Sequence, residues 1–192
     1  DAQELAAVLA TLVAYLKAYE EAGISLEEAA TRLDVGLTAD VNQTATIAKL
    51  RAMRLLWRAL LRECGLPETP LKIHATTAWR SMTRRDPYVN LLRSTIAAFA
   101  AGVGGADSVT VLPFTQALGL PDAFARRLAR NTQVMLIEES NVHRVAGPGA
   151  GAGAVEAHTG GLGASAWELF RTIERRGGMA DVLEDRWLKA EI

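Results

Sequence analysis

The 192-residue chain has one cysteine, Cys64, and three histidines. A lone cysteine excludes an internal disulfide framework and a cysteine-built zinc cluster, and suits a reducing, intracellular setting. Charge of one sign is also missing, since 21 Lys+Arg face 22 Asp+Glu for a net −1. That balance argues against an electrostatic grip on nucleic acid or on an anionic membrane surface. Apolar runs stay well short of the roughly 20 residues that span a bilayer, and Asp1-Ala2-Gln3-Glu4 shows no signal-peptide pattern. Aromatics are sparse at 6%, whereas hydrophobic side chains reach 49%, enough to build the core of one domain.

Apolar spacing then organises the chain. Leu5, Val8, Leu9, Leu12, Val13 and Leu16 recur at helical intervals over residues 1–22, and Gly23 ends the run. Ser25-Leu-Glu-Glu28 has the form of a capping box opening a short helix. Arg32 to Thr38 alternates and predicts a strand. Residues 41–63 carry the longest helical pattern, through Ile47, Leu50, Met53, Arg54, Leu56, Trp57 and Leu60, until Gly65 and Pro67 stop it. Strands are expected at 71–77 and 108–112, with helices from Asp86-Pro87 to about Ala101 and from Pro121-Asp122 to about Glu138. Asn141 to Val145 reads as a further short strand. Residues 147–163, with seven glycines, read as a loop, and 164–176 as an amphipathic helix around Trp167, Leu169, Phe170 and Ile173. Alternating strands and helices predict an α/β fold of parallel β/α units, either half of a barrel or a small open sheet. The expected organisation is β/α units over 1–146, the Gly/Ala loop over 147–163 and C-terminal helices over 164–192.

Short motifs name no chemistry. Gly149-x-Gly151-x-x-Ala154 matches a loose dinucleotide fingerprint, but alternating Gly and Ala offers many accidental registers and no Lys-Ser/Thr follows. His74, on an expected strand beside Thr76 and Thr77, is an acid/base, a ligand, or a satisfied core or rim histidine. His143 and His158 have no second ligand at metal spacing. Glu138 and Glu139 are adjacent and diverge. Arg126, Arg127 and Arg130 read as a solvated helix face, or else as a clamp on an anion. Cys64 has no activating partner, and Trp57 and Trp167 read as core anchors.

Longer blocks are more specific. Thr46-Ile-Ala-Lys-Leu-Arg-Ala-Met-Arg-Leu-Leu-Trp57, Trp79-Arg-Ser-Met-Thr-Arg-Arg-Asp-Pro-Tyr-Val-Asn90 and Gly104-Gly-Ala-Asp-Ser-Val-Thr110 occur in that order, followed by Leu112-Pro-Phe-Thr-Gln-Ala-Leu-Gly-Leu-Pro121 and Arg127-Leu-Ala-Arg-Asn-Thr-Gln133. Together they resemble the methylmalonyl-CoA mutase family across nearly the whole chain. The resemblance implies the second half of a (β/α)8 TIM barrel that binds acyl-CoA. In the intact family enzyme it implies adenosylcobalamin, whose radical chemistry interconverts methylmalonyl-CoA and succinyl-CoA. The family's catalytic Tyr and His would precede residue 1, and its cobalamin-ligating His would follow residue 192. The expectation is therefore a portion of a longer cytoplasmic chain with no catalytic residue and no cofactor bound on its own.

Departures from the family pattern point to a particular kind of member. Active chains carry Arg-Leu-Ser where Arg32-Leu33-Asp34 stands, a longer His-x-Gln-Thr-Ser-Gly-Trp where His74 to Trp79 stands, Glu at Thr46 and usually Glu at Gln116. All four changes resemble the small, noncatalytic subunit of heterodimeric bacterial mutases, whose partner is a catalytic subunit. A second reading keeps residual mutase function, with Arg32 contacting the CoA tail and Trp79, Gln116 and Gly119 lining the corrin face. The alternative for Arg32 is that it starts a strand and pairs with a nearby acid. A third reading is a non-enzymatic α/β module that self-associates through exposed sheet edges. In the Gly/Ala segment, Gly147, Ala150, Ala152 and His158 replace the family's Asp, Gly, Ser and Leu, while Pro148, Glu156 and Thr159 keep their places.

Overall fold

The computed structural model describes residues 1–191, at 190 and 191 by the backbone alone. In chain order the elements are α1 (Ala2–Glu21), α2 (Leu26–Arg32), β1 (Asp34–Ala39), α3 (Gln43–Glu63), β2 (Lys72–Thr77), α4 (Val89–Val103), β3 (Ser108–Thr110), α5 (Ala123–Glu138), α6 (Gly153–Arg175), α7 (Met179–Glu184) and α8 (Trp187–Glu191). Single 3-10 turns occur at Trp79–Ser81, Gln116–Leu118 and Val142–Arg144. Two compact units emerge, one of residues 1–35, 51–72 and 157 onward, the other of residues 36–50 and 73–156.

The second unit carries the sheet. Its three parallel strands run in the order β1-β2-β3, linked by α3 and α4, as the alternation of strand and helix predicts. Register is pinned from both ends. His74, Ala75 and Thr76 pair with Ser108, Val109 and Thr110. Just before β3, Asp107 donates its N–H to the Ile73 carbonyl at 2.8 Å and accepts the Ile73 N–H on Oδ2 at 2.7 Å. Just after it, Thr77 Oγ1 accepts the Leu112 N–H at 2.9 Å. Along β2 the side chains alternate, with Ile73, Ala75 and Thr77 buried and His74 and Thr76 exposed. Ala98 of α4, Val111 and Ala129 of α5 form an apolar cluster with Val109 and Leu136. Helix α5 is capped as its sequence suggests, Asp122 Oδ1 accepting the Ala125 N–H at 2.8 Å.

The first unit is helical. Its core includes Leu5, Leu9, Leu12 and Leu16 of α1, Ala29 and Ala30 of α2, Trp57, Leu60 and Leu61 of α3, and Ile173 and Val182. Trp57 is 1% exposed and donates from Nε1 to the Thr69 carbonyl at 2.8 Å, which satisfies the indole where it is buried. Trp167, expected as a second anchor, is only half-buried, its ring 5.2 Å from that of Phe170. Half of the expected capping box forms. Ser25 Oγ accepts the Glu28 N–H at 3.2 Å, while the Glu28 carboxylate turns to Arg32.

Three expectations need correction. Arg32 does not begin a strand. It ends α2, and β1 starts at Asp34. Asn141 to Val145 is not a strand either. Asn141 sits in the left-handed region (φ 53) with its Nδ2 donating to the Glu139 carbonyl, and Val142–Arg144 closes into a 3-10 turn. Local side-chain-to-backbone bonding there replaces the sheet ladder. Finally, the Gly/Ala segment is not a loop as far as 163, because α6 starts at Gly153. Glu156 anchors its first turn, accepting the Gly151 N–H on Oε1 at 3.0 Å, and alanines carry the helix through the glycines. Within α6, His158 faces outward and Thr159 is buried.

Candidate functional site

A polar strand face is the first feature of the second unit. Gly36, His74, Thr76, Ser108 and Thr110 are exposed on it, and Thr38 is half-buried. The interior of a closed β/α barrel is ordinarily filled by bulky branched side chains. Small hydroxyls and a glycine leave room on this face instead. His74 Nδ1 meets Ser108 Oγ across the β2–β3 register. Among the described residues no group of three or more His, Cys, Asp or Glu could hold a metal ion.

The carboxyl ends of the strands carry the second feature. Asp40, directly after β1, accepts the Val41 N–H on Oδ1 at 2.7 Å and the Arg80 Nε–H on Oδ2 at 2.7 Å. Burial alone would raise its pKa. The Val41 amide, the Arg80 guanidinium and the positive charge of Lys49 outweigh that and hold it below the ordinary value. Thr46, 2% exposed, accepts the Asp40 N–H at 3.1 Å and donates to the Asp40 carbonyl at 3.0 Å. The Thr46 hydroxyl is thus committed to the loop after β1.

Three of the four expected site residues lie at this end. Trp79 follows β2 in its 3-10 turn and is 55% exposed. Gln116, partly buried, opens the turn after β3, its N–H donated to the Pro113 carbonyl at 2.9 Å. Gly119 is exposed and adopts φ 141 and ψ −156, a conformation that side chains avoid. Because β2 and β3 are parallel neighbours, the loops that follow them project from one end of the sheet. Arg32 is described within its own unit. It belongs to the first unit, precedes β1, and pairs with Glu28 one helical turn back while staying exposed. Of the alternative reading for Arg32, the acid pairing is present and the strand start is not. Sequence reasoning missed the Asp40–Arg80 pair, since nothing local links residues 40 positions apart.

Three β/α units on a parallel sheet with an open polar face define roughly half of a (β/α)8 barrel. The family profile described as Methylmalonyl-CoA mutase matches residues 1–192, and the chain belongs to that family. It is 50% identical to the methylmalonyl-CoA mutase small subunit of Streptomyces virginiae over 95% of its length, covering 30% of that protein. Identity to the small subunit of Propionibacterium freudenreichii subsp. shermanii is 46%, over 94% of this chain and 29% of the relative. Against the mitochondrial methylmalonyl-CoA mutase of Bos taurus it is 37%, over 95% of this chain and 25% of the relative. The chain thus spans at most about 30% of the length of these relatives. Among the described residues no helix is long and apolar enough to cross a membrane.

Proposed function

We propose that the chain is part of the barrel of a methylmalonyl-CoA mutase small subunit, with a structural role in supporting a catalytic partner subunit. The observation that carries this reading is the difference in identity over the same stretch. It is 46–50% to proteins named small subunit, against 37% to the bovine mitochondrial mutase. The bonding of Thr46 supports it, because a family site position here closes a loop. The test mixes the full-length chain with a catalytic mutase subunit and measures complex mass by light scattering. A stable heterodimer is expected. Adenosylcobalamin-dependent turnover by the full-length chain alone would overturn the noncatalytic reading.

The family's cofactor, adenosylcobalamin, supplies radical chemistry when bound. At the carboxyl end of the sheet this chain offers an exposed indole, an amide and a glycine, a set that fits contact with a corrin edge. We assign Trp79, Gln116 and Gly119 to that rim, where they would orient the ring and exclude water. Arg32 is the corresponding assignment for the CoA tail, since a guanidinium suits phosphate. Its existing pair with Glu28 gives any CoA phosphate a competitor. Unchanged affinity for CoA esters after Arg32→Ala in the full-length chain would remove Arg32 from the site.

A further inference from the structure

We infer that Asn90 is a positioning residue that makes the loop after β2 and the loop after β3 move as one. Asn90 lies in the first turn of α4 and is fully buried at 0% exposure. Its Oδ1 accepts the Thr83 N–H at 2.9 Å, and its Nδ2 donates to the Thr83 carbonyl and to the Phe114 carbonyl, each at 2.9 Å. The amide orientation is set by these partners, because two carbonyls need the NH2 and one N–H needs the oxygen. Thr83 belongs to the loop that begins with Trp79, and Phe114 to the loop that holds Gln116 and Gly119. One side chain therefore ties together the backbones on which the expected site residues stand.

The chemistry admits few substitutes. Aspartate would turn a second oxygen toward two carbonyls, leucine would take the partner from three backbone groups, and glutamine would carry an extra methylene into a site where Asn90 has no exposure. Stacking supports the same junction. The Tyr88 ring lies 5.1 Å from Phe114, which meets Phe124 of α5 edge-on at 6.3 Å. Arg93 extends it on the other side, donating from Nη1 to the Ser81 carbonyl at 2.8 Å. The functional meaning of this clasp rests on the reading proposed above, whereas the clasp itself rests on geometry within one unit.

Amide hydrogen exchange on the full-length chain tests it, resolved to Thr83 and to peptides covering 79–86, 112–120 and 72–77. In the unmodified protein the Thr83 amide should exchange at least about tenfold more slowly than an open loop amide. Exchange at the open-loop rate overturns the inference without any variant. Asn90→Ala should speed exchange in 79–86 and 112–120 together, by about tenfold or more, and leave 72–77 unchanged. A response in one loop alone, or an equal response across all three peptides, overturns it. Coupling supplies a readout that general stability does not move. Gly119→Ala, which strains the second loop, should raise Thr83 exchange when Asn90 is present and have no such effect in Asn90→Ala. Equal effects in both backgrounds overturn the inference. The light-scattering test of heterodimer formation is a separate measurement, so either reading can fail while the other stands.

Discussion

Replacing Thr46 by valine isolates what its hydroxyl contributes. Valine has nearly the same shape and a similar helix propensity, so packing and local preference change little. What disappears is a pair of hydrogen bonds, 3.1 Å from the Asp40 N–H and 3.0 Å to the Asp40 carbonyl, at a side chain 2% exposed. Two such bonds contribute about 1 kcal/mol each, and a buried N–H left without a partner costs about 1–3 kcal/mol. The expected loss is about 2 kcal/mol, or roughly 4–8 °C in Tm for a chain of this size. Urea unfolding followed by circular dichroism, with calorimetry for Tm, measures it. Thr46→Ser is the control, because it keeps the hydroxyl and removes the methyl. A loss below about 0.5 kcal/mol for Thr46→Val, or an equal loss for Thr46→Ser, refutes the hydrogen-bond reasoning.

Acid stability reports on Asp40. Its folded-state pKa lies below the ordinary 3.8, so the stability it contributes is present above that value and is lost as pH falls through the folded one. Asp40→Asn should be less stable than the parent at neutral pH, with the difference shrinking below about pH 4; urea midpoints against pH decide, and a constant difference refutes the assignment. At Gly104 a methyl would sit 2.8 Å from Leu50 Cδ1, 3.0 Å from the Ala100 carbonyl oxygen and 3.2 Å from Ile47 Cα. Gly104→Ala should therefore destabilise by about 1–3 kcal/mol in the same titration, and a neutral result would contradict that close approach. The helical glycines Gly160, Gly161 and Gly163 have nothing within 4 Å of an added Cβ, so a triple alanine variant should gain about 2–3 kcal/mol of stability. A loss in thermal melts would mean that these positions need glycine for contacts other than those within the helix.

Much of this architecture is legible along the chain because helices and strands have different periods. The apolar spacing of residues 41–63 places α3 within two residues of its observed start, and the alternation around His74 places β2 within one. The misses have local causes. Asn141 could equally enter the left-handed region and turn the chain, and the glycines of α6 hid a helix that Glu156 and the alanines sustain. For the site, the ordered blocks identified the family and named Trp79, Gln116 and Gly119, which do share one end of the sheet. Arg32 lies one element earlier than its pattern predicts, since the residues before Asp34 alternate weakly enough to read as strand.

Periodicity, caps and long ordered blocks are properties of the chain order, and from them follow most of the element types, the parallel alternation and the family. Which polar groups meet is set in three dimensions. Asp40 finds Arg80, Asp107 pins Ile73, and Asn90 joins Thr83 to Phe114 across 7 and 24 positions. Such pairings depend on the register of parallel strands and on where each helix starts. A sequence states the donors and acceptors, but which of them come within 3 Å is settled when the strands pair and the core closes.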